Sequence, residues 1–582
     1  MGFRGTYKKY FLFCLTVCNL KGINAANNST ADTIPQHAIR IAQKVADKLI
    51  RDTRFAFKPV PQKEDLGMQV IDFREMLKDG NETGYAFRQA ITAKDTLIHF
   101  GINGAGKIRI WINQVEVYHQ EEGKSAVPRE TAYNRFLFQH SFSGKFKKGN
   151  NEILIRCEPD KTGAVLLIRP QEANGDLNTA INFNSPLPFS QWHLAGSFPG
   201  SDRTIRAEEN IRTFYERAGK KYVWEKMPQR LLPQLLIDSN ITYQRDPYAD
   251  WHYANGNTIW SVMNLATATG NNSYEAFVKK YTGFIISNKN YFEKQYDSLF
   301  AFRGSFHRLF RMSMLDDAGS AVLPFIQLYL VNQDPALRQI IDTVADYISN
   351  RQVRLSDGTF CRPEPTEFTI WADDLFMSVP FLLRMTTITG QEKYRNDVVA
   401  QMMHFRKYLL DPVTGLYKHG WFSSTAEQSA VYWGRANGWI AWATTELLSA
   451  LPQSHPAYRV VLRSLQEQIA VLAKYQDQSG MWHQVLDNPA SYEETSCTAM
   501  FTMAMAKAVR EGWVDQQYRS NAIKGWKAIA GKIEADGTVH GICRGTEIGY
   551  DQQFYFNRPT VDQDPRGLGA VIAAGIEISK LK

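Results

Sequence analysis

The hydrophobic repeat of the chain changes once, and this change divides the sequence into two parts that must fold differently. Between about residues 85 and 172 apolar and polar residues alternate, as in Lys107–Ile112, the turn Asn113-Gln114 and Val115–Val117. A repeat of two residues is typical of half-buried strands. From Arg206 onward apolar residues recur every three to four positions, which indicates helices. The sequence therefore predicts a β part followed by an α part.

The strands of the β part are short and are separated by polar turns, such as Lys148–Asn151 before the apolar run Ile153–Ile155. This pattern predicts an antiparallel β-sandwich, which we assign to residues 53–183. The part resembles the galactose-binding-like modules that accompany many carbohydrate-active enzymes. A packing or spacer module without a sugar site is the alternative. We expect the sandwich to stabilise or orient the α part without contributing to chemistry.

The α part contains a series of candidate helices that are mostly paired by short loops. Six helical hairpins of this kind can close into an (α/α)6 barrel, and an open solenoid is the alternative, although no fixed repeat period supports it. A further amphipathic helix is predicted over residues 35–51, and its packing on the barrel would make the sandwich an insertion. The candidate helices lie near residues 208–217, 257–270, 273–286, 318–331, 334–350, 371–388, 391–409, 433–450, 455–475, 493–511, 515–532 and 563–579.

The first 25 residues predict a secretory signal peptide. The basic stretch Arg4–Lys9 precedes an apolar run, Tyr10–Leu20, and two small residues, Ala25 and Ala26, follow. The run is too short to span a bilayer. A weak likeness to a lipoprotein box ends at Cys18, but we favour cleavage over lipid anchoring. The sequence thus predicts an exported protein, either periplasmic or extracellular.

Composition excludes several other classes of protein. The 67 basic and 59 acidic residues are well mixed, so no stripe of charge predicts a nucleic-acid partner. Four scattered cysteines outside the signal predict neither a metal site nor a disulfide framework. The predicted fold is therefore a multidomain chain in which an antiparallel β-sandwich precedes an (α/α)6 barrel. Its segments are a signal peptide at 1–25, a helical segment at 26–52, the sandwich at 53–183, a join rich in Pro, Gly and Ser at 184–204, and the barrel at 205–582.

Two pairs of adjacent acids are candidates for chemistry in the α part. Asp373 shares a helical face with Met377 and Pro380, whereas Asp374 is rotated by about 100° from that face. At most one of these acids is therefore expected to face the barrel axis, and the alternative for either is a structural role in the first helical turn. The second pair, Asp316-Asp317, precedes a predicted helix, where capping is the default explanation.

Several aromatic and basic residues near these acids are candidates for binding a sugar. Arg435 and Trp439 lie four residues apart on one predicted helical face, where a guanidinium and an indole can bind the carboxylate and the ring of a uronic acid. The alternative is an arginine stem that packs on a core tryptophan. His419 is a single histidine among aromatics, which is more often structural. Trp482 precedes a polar helix start and can stack on a sugar.

Together these segments resemble the unsaturated glucuronyl and rhamnogalacturonyl hydrolases, glycoside hydrolase families 88 and 105. The resemblance covers about residues 205–582 and implies an (α/α)6 barrel, in agreement with the helix count. Where rhamnogalacturonyl members carry a second histidine before the catalytic helix, this chain has Cys361-Arg362-Pro363-Glu364, which leaves the exact uronide open. The matching motifs are Trp-x-Asp-x-x-x-Met-x-x-Pro-Phe at 371–381, Asp-x-Gly at 317–319, His-Gly-Trp at 419–421, Trp-Gly-Arg-x-Asn-Gly-Trp at 433–439, Trp-x-Gln-Val-Leu-Asp at 482–487 and Glu-Thr-Ser at 494–496.

The resemblance implies hydration of the C4=C5 double bond that lyases leave on a terminal uronate, with no metal or other cofactor. The partner would be an oligosaccharide with a terminal uronate. Asp373 would be the proton donor and then the base, with a pKa raised by desolvation, and Asp317 its supporting carboxylate. The implied substrate-binding residues are Arg435, Trp439, His419, Trp433, Trp371, Trp482 and Tyr253.

Three alternative functions remain open on the sequence. A β-glucuronidase acting on saturated uronides would use two carboxylates as acid and base. A polysaccharide lyase would need a tyrosine or histidine base and a group that neutralises the uronate. A non-catalytic glycan-binding protein would use the tryptophan-rich cleft without an acid.

Overall fold

The computed structural model describes residues 33–61, 67–78, 81–131, 135–184, 186–199, 215–217, 220–236, 248–363 and 368–581. The predicted signal peptide, with Cys18, lies outside the described residues, as does Glu364. Most of the predicted helix near 208–217 lies outside them as well. Across the part of the chain that is described, no helix is both long enough and apolar enough to cross a membrane.

The α part is a double ring of helices, which confirms the predicted barrel. Successive contacts close an inner ring of helices, which consists of α2, α5, α7, α9, α11 and α14. Each inner helix packs against a helix of an outer ring, in the pairs α2–α3, α5–α6, α7–α8, α9–α10, α11–α12 and α14–α1. Each helix predicted within the described residues from 248 onward is present. The helices are α1 (Ile34–Asp52), α2 (Tyr253–Thr269), α3 (Asn272–Leu299), α4 (His307–Arg311), α5 (Leu323–Asn332), α6 (Pro335–Asp346), α7 (Asp373–Thr389), α8 (Glu392–Leu409), α9 (Gly434–Ala450), α10 (Tyr458–Lys474), α11 (Thr495–Arg510), α12 (Tyr518–Ala530), α13 (Gln552–Phe556) and α14 (Pro565–Ser579).

Helix α1 completes the outer ring, although it precedes the sandwich in the chain. Its start is fixed by a capping box in which Thr33 and Gln36 satisfy each other's backbone N–H groups. Small residues allow it to approach α14 closely, because a Cβ atom added at Gly575 would lie 2.8 Å from the Cβ of Ala42. The twelfth barrel helix is therefore α1 and not a helix near 208–217, whose described end, Tyr215–Arg217, is a strand.

The β part consists of two facing antiparallel sheets, as predicted. One has the strand order β16-β13-β3-β10-β5-β6 with β12 also paired to β3, and the other has the order β2-β11-β4-β9. The strands up to the barrel are β1 (Phe57–Pro61), β2 (Gln69–Asp72), β3 (Glu82–Thr92), β4 (Thr96–Ala105), β5 (Lys107–Ile112), β6 (Val115–Gln120), β7 (Arg129–Glu130), β8 (Phe136–Leu137), β9 (His140–Phe146), β10 (Gly149–Glu158), β11 (Val165–Pro170), β12 (Ile181–Asn182), β13 (His193–Pro199), β14 (Tyr215–Arg217), β15 (Lys220–Tyr222), β16 (Glu225–Lys226) and β17 (Leu231–Leu235).

The sandwich core explains the alternation in the sequence. Ile108, Ile110 and Ile112 of β5 point inward and pack with the inner faces of both sheets. The β5–β6 turn places Asn113 and Gln114 at φ values of 47° and 71°, which gives the left-handed turn that a two-residue hairpin favours. The predicted strand-turn-strand is therefore present at these residues.

The sandwich extends beyond residue 183 into the segment assigned as a join. Strand β13 lies within this segment and pairs with β3, while β16 pairs with β13. Strand β17 pairs with β1 at the base of the sandwich. The join is rich in Pro and Gly, so its strand becomes recognisable only through its pairing partner.

The sandwich and the barrel share an apolar contact. Phe136 of β8 packs on Phe302 of the barrel with ring centroids 5.1 Å apart. Leu167 of β11 and Phe300 belong to the same buried cluster. The sandwich is therefore docked on the loop that follows α3.

The position of α1 predicts a sensitive residue far from any chemistry. Replacing Ala42 with Leu should destabilise the barrel by about 1–3 kcal/mol, because the buried contact with α14 has no room for three further carbons. Thermal unfolding followed by tryptophan fluorescence should show a Tm lower by roughly 2–10 °C. Lys44→Leu, at an exposed position of the same helix, is the control, and equal effects of the two substitutions would contradict the packing.

Candidate active site

The candidate residues gather where the inner helices begin. Tyr253 opens α2, Asp373 opens α7, and Arg435 and Arg566 lie in the first turns of α9 and α14. Contacts join these ends, since Arg435 donates to Ser496 of α11 and Arg566 donates to the Tyr253 hydroxyl. Helix N-termini carry partial positive charge, so this end of the barrel favours a negatively charged ligand.

A short sheet brings His419 to Asp373. Strands β18 (Thr369–Trp371), β19 (Gly420–Phe422) and β20 (Glu427–Gln428) form it, and Trp371 pairs with Gly420. The Nε2 atom of His419 thereby lies 3.2 Å from Oδ2 of Asp373. Gly420 is required here because a Cβ atom would lie 2.9 Å from the carbonyl oxygen of Ile370.

His419 is a buried, neutral imidazole. Its Nδ1 atom lies 2.8 Å from the Tyr555 hydroxyl, which accepts a hydrogen bond from the N–H of Gly549. Burial lowers the pKa of His419 despite the nearby carboxylate. In the tautomer with its proton on Nε2, His419 accepts from the Tyr555 hydroxyl at Nδ1 and presents an N–H to Asp373.

The pKa of Asp373 is lowered, contrary to the raised pKa that the sequence led us to expect. Burial by itself would raise the pKa, but the contact with His419 and the charges of Arg362 and Arg435 outweigh it and lower the pKa. Within the described residues, neither Asp373 Oδ2 nor His419 Nε2 has an aligned hydrogen-bond partner. Both atoms are buried and lie 3.2 Å from each other.

Burial raises the pKa values of both Asp316 and Asp374, which share Arg362 as a partner. Arg362 donates to Asp316 at 3.1 and 3.3 Å and holds Asp374 through its other N–H groups, at 2.9 Å from Nε. Burial raises the pKa of Asp316 to about 6, against the positive charge of Arg362 and with the help of the negative charges of Asp374 and Asp373. Asp316 therefore titrates near pH 6, well above an ordinary aspartate.

Each acid pair places one member toward the cleft and buries the other. The side chains of Asp316 and Asp373 are 25% and 15% exposed, whereas those of Asp317 and Asp374 are 1% exposed. Arg311 holds Asp317 at 2.6 and 3.0 Å, so Asp317 is fixed as a structural counter-ion. The structure thus places Asp316, and not the expected Asp317, in electrostatic contact with Asp373.

Arg435 is turned toward protein groups and not toward open space. It donates to the carbonyl oxygens of Cys543 and Arg544 at 2.6 and 3.2 Å and stacks on Trp433 at 4.7 Å. It is 2% exposed. Its guanidinium therefore orders the segment around Arg544 and adds positive field to the site.

The tryptophans expected to stack on a sugar are buried in this structure. Trp439 stacks on Phe376 in the barrel core, and Trp482 donates to the carbonyl of Leu472. Trp371 covers the guanidinium of Arg362 at 4.2 Å, and Trp433 lies against His419 with ring centroids 4.5 Å apart. Trp371 and Trp433 therefore desolvate the charged groups beside them, whereas Trp439 and Trp482 fill the core.

Tyr253 is the predicted binding residue whose hydroxyl lies among the charges of the site. Burial raises its pKa to about 12, although Arg566 and Arg435 act in the opposite direction. Arg566, which is not among the predicted site residues, donates to this hydroxyl at 3.1 Å. It also pairs with Asp564 at 3.2 Å. Among the residues described, no three His, Cys, Asp or Glu side chains are grouped as metal ligands.

Comparison with known proteins gives one consistent relationship. A family model described as Glycosyl Hydrolase Family 88 matches residues 233–582. The unsaturated rhamnogalacturonyl hydrolase YesR of Bacillus subtilis is 30% identical over 261 residues, which are 44% of this chain and 74% of that protein. A possible member of family GH105 from Salmonella enterica superposes with a TM-score of 0.51 at 24% identity, covering 64% of this chain and 89% of its own. Another from Klebsiella pneumoniae gives 0.50 at 25%, covering 57% and 83%.

The raised pKa of Asp316 predicts a pH-dependent change in stability. Because the pKa is higher in the folded chain than in the unfolded one, ionisation of Asp316 costs stability as the pH rises from about 4 to about 7. Asp316→Asn removes this cost, so its stability relative to the wild type should increase by about 1–3 kcal/mol over that range. Unfolding of both proteins at several pH values measures the difference, and a difference independent of pH would show that Asp316 titrates normally.

Proposed function

Because this chain belongs to glycosyl hydrolase family 88, we propose that it removes an unsaturated uronic acid from the non-reducing end of lyase-generated oligosaccharides. YesR, which is 30% identical over 261 residues, carries the name of an enzyme of this kind. The observation that supports the proposal is the arrangement of Asp316, Asp373 and His419, in which two partly exposed carboxyls have pKa values shifted in opposite directions.

The proposed reaction is the hydration of a vinyl ether. A carboxylic acid gives its proton to C4, and positive charge develops on C5 and the ring oxygen. The oxygen of a water molecule bonds to C5 while a carboxylate accepts one of its protons, which restores the acid. The product is a hemiketal at C5, and its ring opens with loss of the neighbouring sugar.

We assign both proton transfers to Asp373. It occupies the acid position of the motif at 371–381 and opens toward the cleft beside His419. The pKa of Asp316 is raised to about 6, whereas the pKa of Asp373 is lowered. A bound uronate adds negative charge and excludes water, and both effects raise the pKa of Asp373. A proton can then reside on Asp373.

The surroundings favour an anionic sugar. Inner helices begin at this end of the barrel, and Arg362, Arg435 and Arg566 add three positive charges. The Nε2–H of His419 and the hydroxyl of Tyr253 are donors beside the acids. We propose that these groups bind the uronate and its hydroxyls, while Arg435 acts by ordering the segment at Cys543 and Arg544.

One assay distinguishes the candidate functions. Purified protein is given lyase-generated oligosaccharides, and the ultraviolet absorbance of the conjugated C4=C5 uronate is followed. Loss of absorbance supports hydration, whereas a gain of absorbance from intact polysaccharide would indicate a lyase. Release of saturated glucuronate would indicate a glucuronidase, and no change with any substrate would indicate binding alone.

The central prediction concerns the two neighbouring acids of α7. Asp373→Asn should reduce kcat by 10²–10⁴-fold or more, since a general acid that acts twice is removed, while ligand binding persists. Asp374→Asn should retain more activity, because Asp374 is buried against Arg362. Steady-state kinetics with circular dichroism and Tm measurements test this. Near-normal kcat in Asp373→Asn, or an inactive but intact Asp374→Asn, would overturn the assignment.

The loss of Arg435 should also be measurable. Arg435→Ala should lower kcat/KM by about 10- to 1,000-fold, because three buried hydrogen bonds that order the site are lost. Arg384→Ala is a suitable comparison, since Arg384 contacts Glu446 and Gln327 away from the acids. Normal kinetics in a folded Arg435→Ala protein would remove Arg435 from the site.

We also propose that the protein is exported through a signal peptide at residues 1–25. Expression of the full chain in a bacterial host should give a mature protein outside the cytoplasm, with its N-terminus near Ala25 or Ala26. N-terminal sequencing and cell fractionation measure this. An uncut chain in the cytoplasm would contradict the proposal, and palmitate labelling at Cys18 would indicate lipid anchoring instead.

A further inference from the structure

The β-sandwich inserts one carboxylate into the barrel, and we propose that this group, Glu130, is a positioning residue of the active site. Glu130 ends β7, and its side chain is completely buried. It accepts hydrogen bonds from the Tyr296 hydroxyl at 2.9 Å, from Arg303 at 2.9 Å and from Arg311 at 3.3 Å. All three donors belong to the barrel, so Glu130 of the sandwich binds side chains of the barrel directly.

Arg311 connects Glu130 with the acids of the site. Its Nη1 atom contacts Glu130, while Nε and Nη2 hold both carboxylate oxygens of Asp317. A guanidinium is planar and rigid, so two carboxylates on different edges fix its orientation completely. Without Glu130, Arg311 would keep one partner and gain freedom to rotate.

Asp317 transmits this orientation to Asp316. The two acids are consecutive in a single 3₁₀ turn, Leu315–Asp317, and the Ser313 N–H also donates to Asp317 at 3.1 Å. Trp251 donates to the carbonyl oxygen of Asp317 at 2.7 Å. The backbone of Asp316 is therefore placed by the anchored Asp317 side chain, and the direction of the Asp316 carboxyl depends on Arg311.

The charge of Glu130 also contributes to the balance of this region. Arg303 and Arg311 are buried side by side, with Arg308 nearby, and Glu130 and Asp317 offset them. Removing the negative charge leaves an excess of positive field, which favours the ionised form of nearby acids and lowers their pKa values. The groups that act on Asp316 from the surrounding elements are Arg362, Asp374, Asp373, Asp317 and Tyr253.

The inference rests on the proposed function, because it requires that Asp316 and Asp373 form the reacting site. The inference changes the expected role of the sandwich. Its exposed loops remain dispensable for chemistry, but its buried residue Glu130 is not dispensable. A purely structural role of Glu130 would change stability and leave the kinetics of the folded enzyme untouched. The two roles are therefore separable by experiment.

The test compares Glu130→Gln with two matched variants of the full chain. Glu122→Gln removes the same charge from an exposed residue of the sandwich that pairs with Lys161. Arg303→Gln removes another partner of Glu130 without touching Arg311. For each protein, kcat, KM, the pH profile of kcat and Tm are measured with an unsaturated disaccharide. We expect Glu130→Gln alone to lower kcat about 10- to 100-fold with KM within about threefold, and to move the basic limb to lower pH.

Each outcome of these measurements either supports or overturns the positioning role of Glu130. A lower Tm with unchanged kcat and pH profile in Glu130→Gln, or equal kcat losses in all three variants, would overturn the inference. If Glu130→Gln does not fold, Arg311→Lys replaces it, because a lysine keeps the charge but cannot hold both carboxylates. A normal kcat in that variant would also overturn it. Failure of the wild type to consume the double bond would instead refute the proposed function.

Discussion

Four carboxylates occupy one end of the barrel, and the site depends on how their charge is balanced without water. Arg362 holds Asp316 and Asp374, and Arg311 holds Asp317. A buried charge without a partner costs several kcal/mol, so the loss of either arginine would destabilise the folded protein. The arginines do not contact the four acids equally. Asp316 and Asp373 remain partly exposed, and their pKa values are shifted in opposite directions, upward for Asp316 and downward for Asp373. Opposite displacement of two neighbouring carboxyls is what acid and base chemistry in one site requires.

The fold could be predicted from the sequence where periodicity is local. The hairpin at Asn113-Gln114 and the helices from α2 to α14, apart from the short α4 and α13, follow from turn residues and apolar spacing alone. The role of α1 could not be predicted this way, because an amphipathic helix does not reveal its partner. The same holds for β13, whose residues form a strand only because β3 supplies the hydrogen-bonding edge. Both are long-range contacts, which single-chain patterns do not encode.

The candidate site could be predicted only to the level of segments. The motif around Asp373 and the single His419 do come together in the structure. Which acid of the pair Asp316-Asp317 faces the cleft is decided by Arg311 and Arg362, and their partners are not visible in a helical repeat. Burial of Trp439 and Trp482 is likewise a property of the closed ring. A tryptophan in a motif has the same appearance in sequence whether it lines a cleft or fills a core.

The pairing of α1 with α14 has a consequence for how the chain acquires its structure. Helix α1 of the outer ring packs on α14 of the inner ring, so the inner ring stays open, and α1 lacks its inner partner, until α14 has been synthesised. Throughout that interval the apolar stripe of α1 has no native cover, and such a stripe promotes aggregation. The strands of the sandwich pair mostly within their own region, which allows the sandwich to fold first. The inserted domain then keeps α1 tethered beside the growing barrel, so the final step of folding is the closure of the ring by α14.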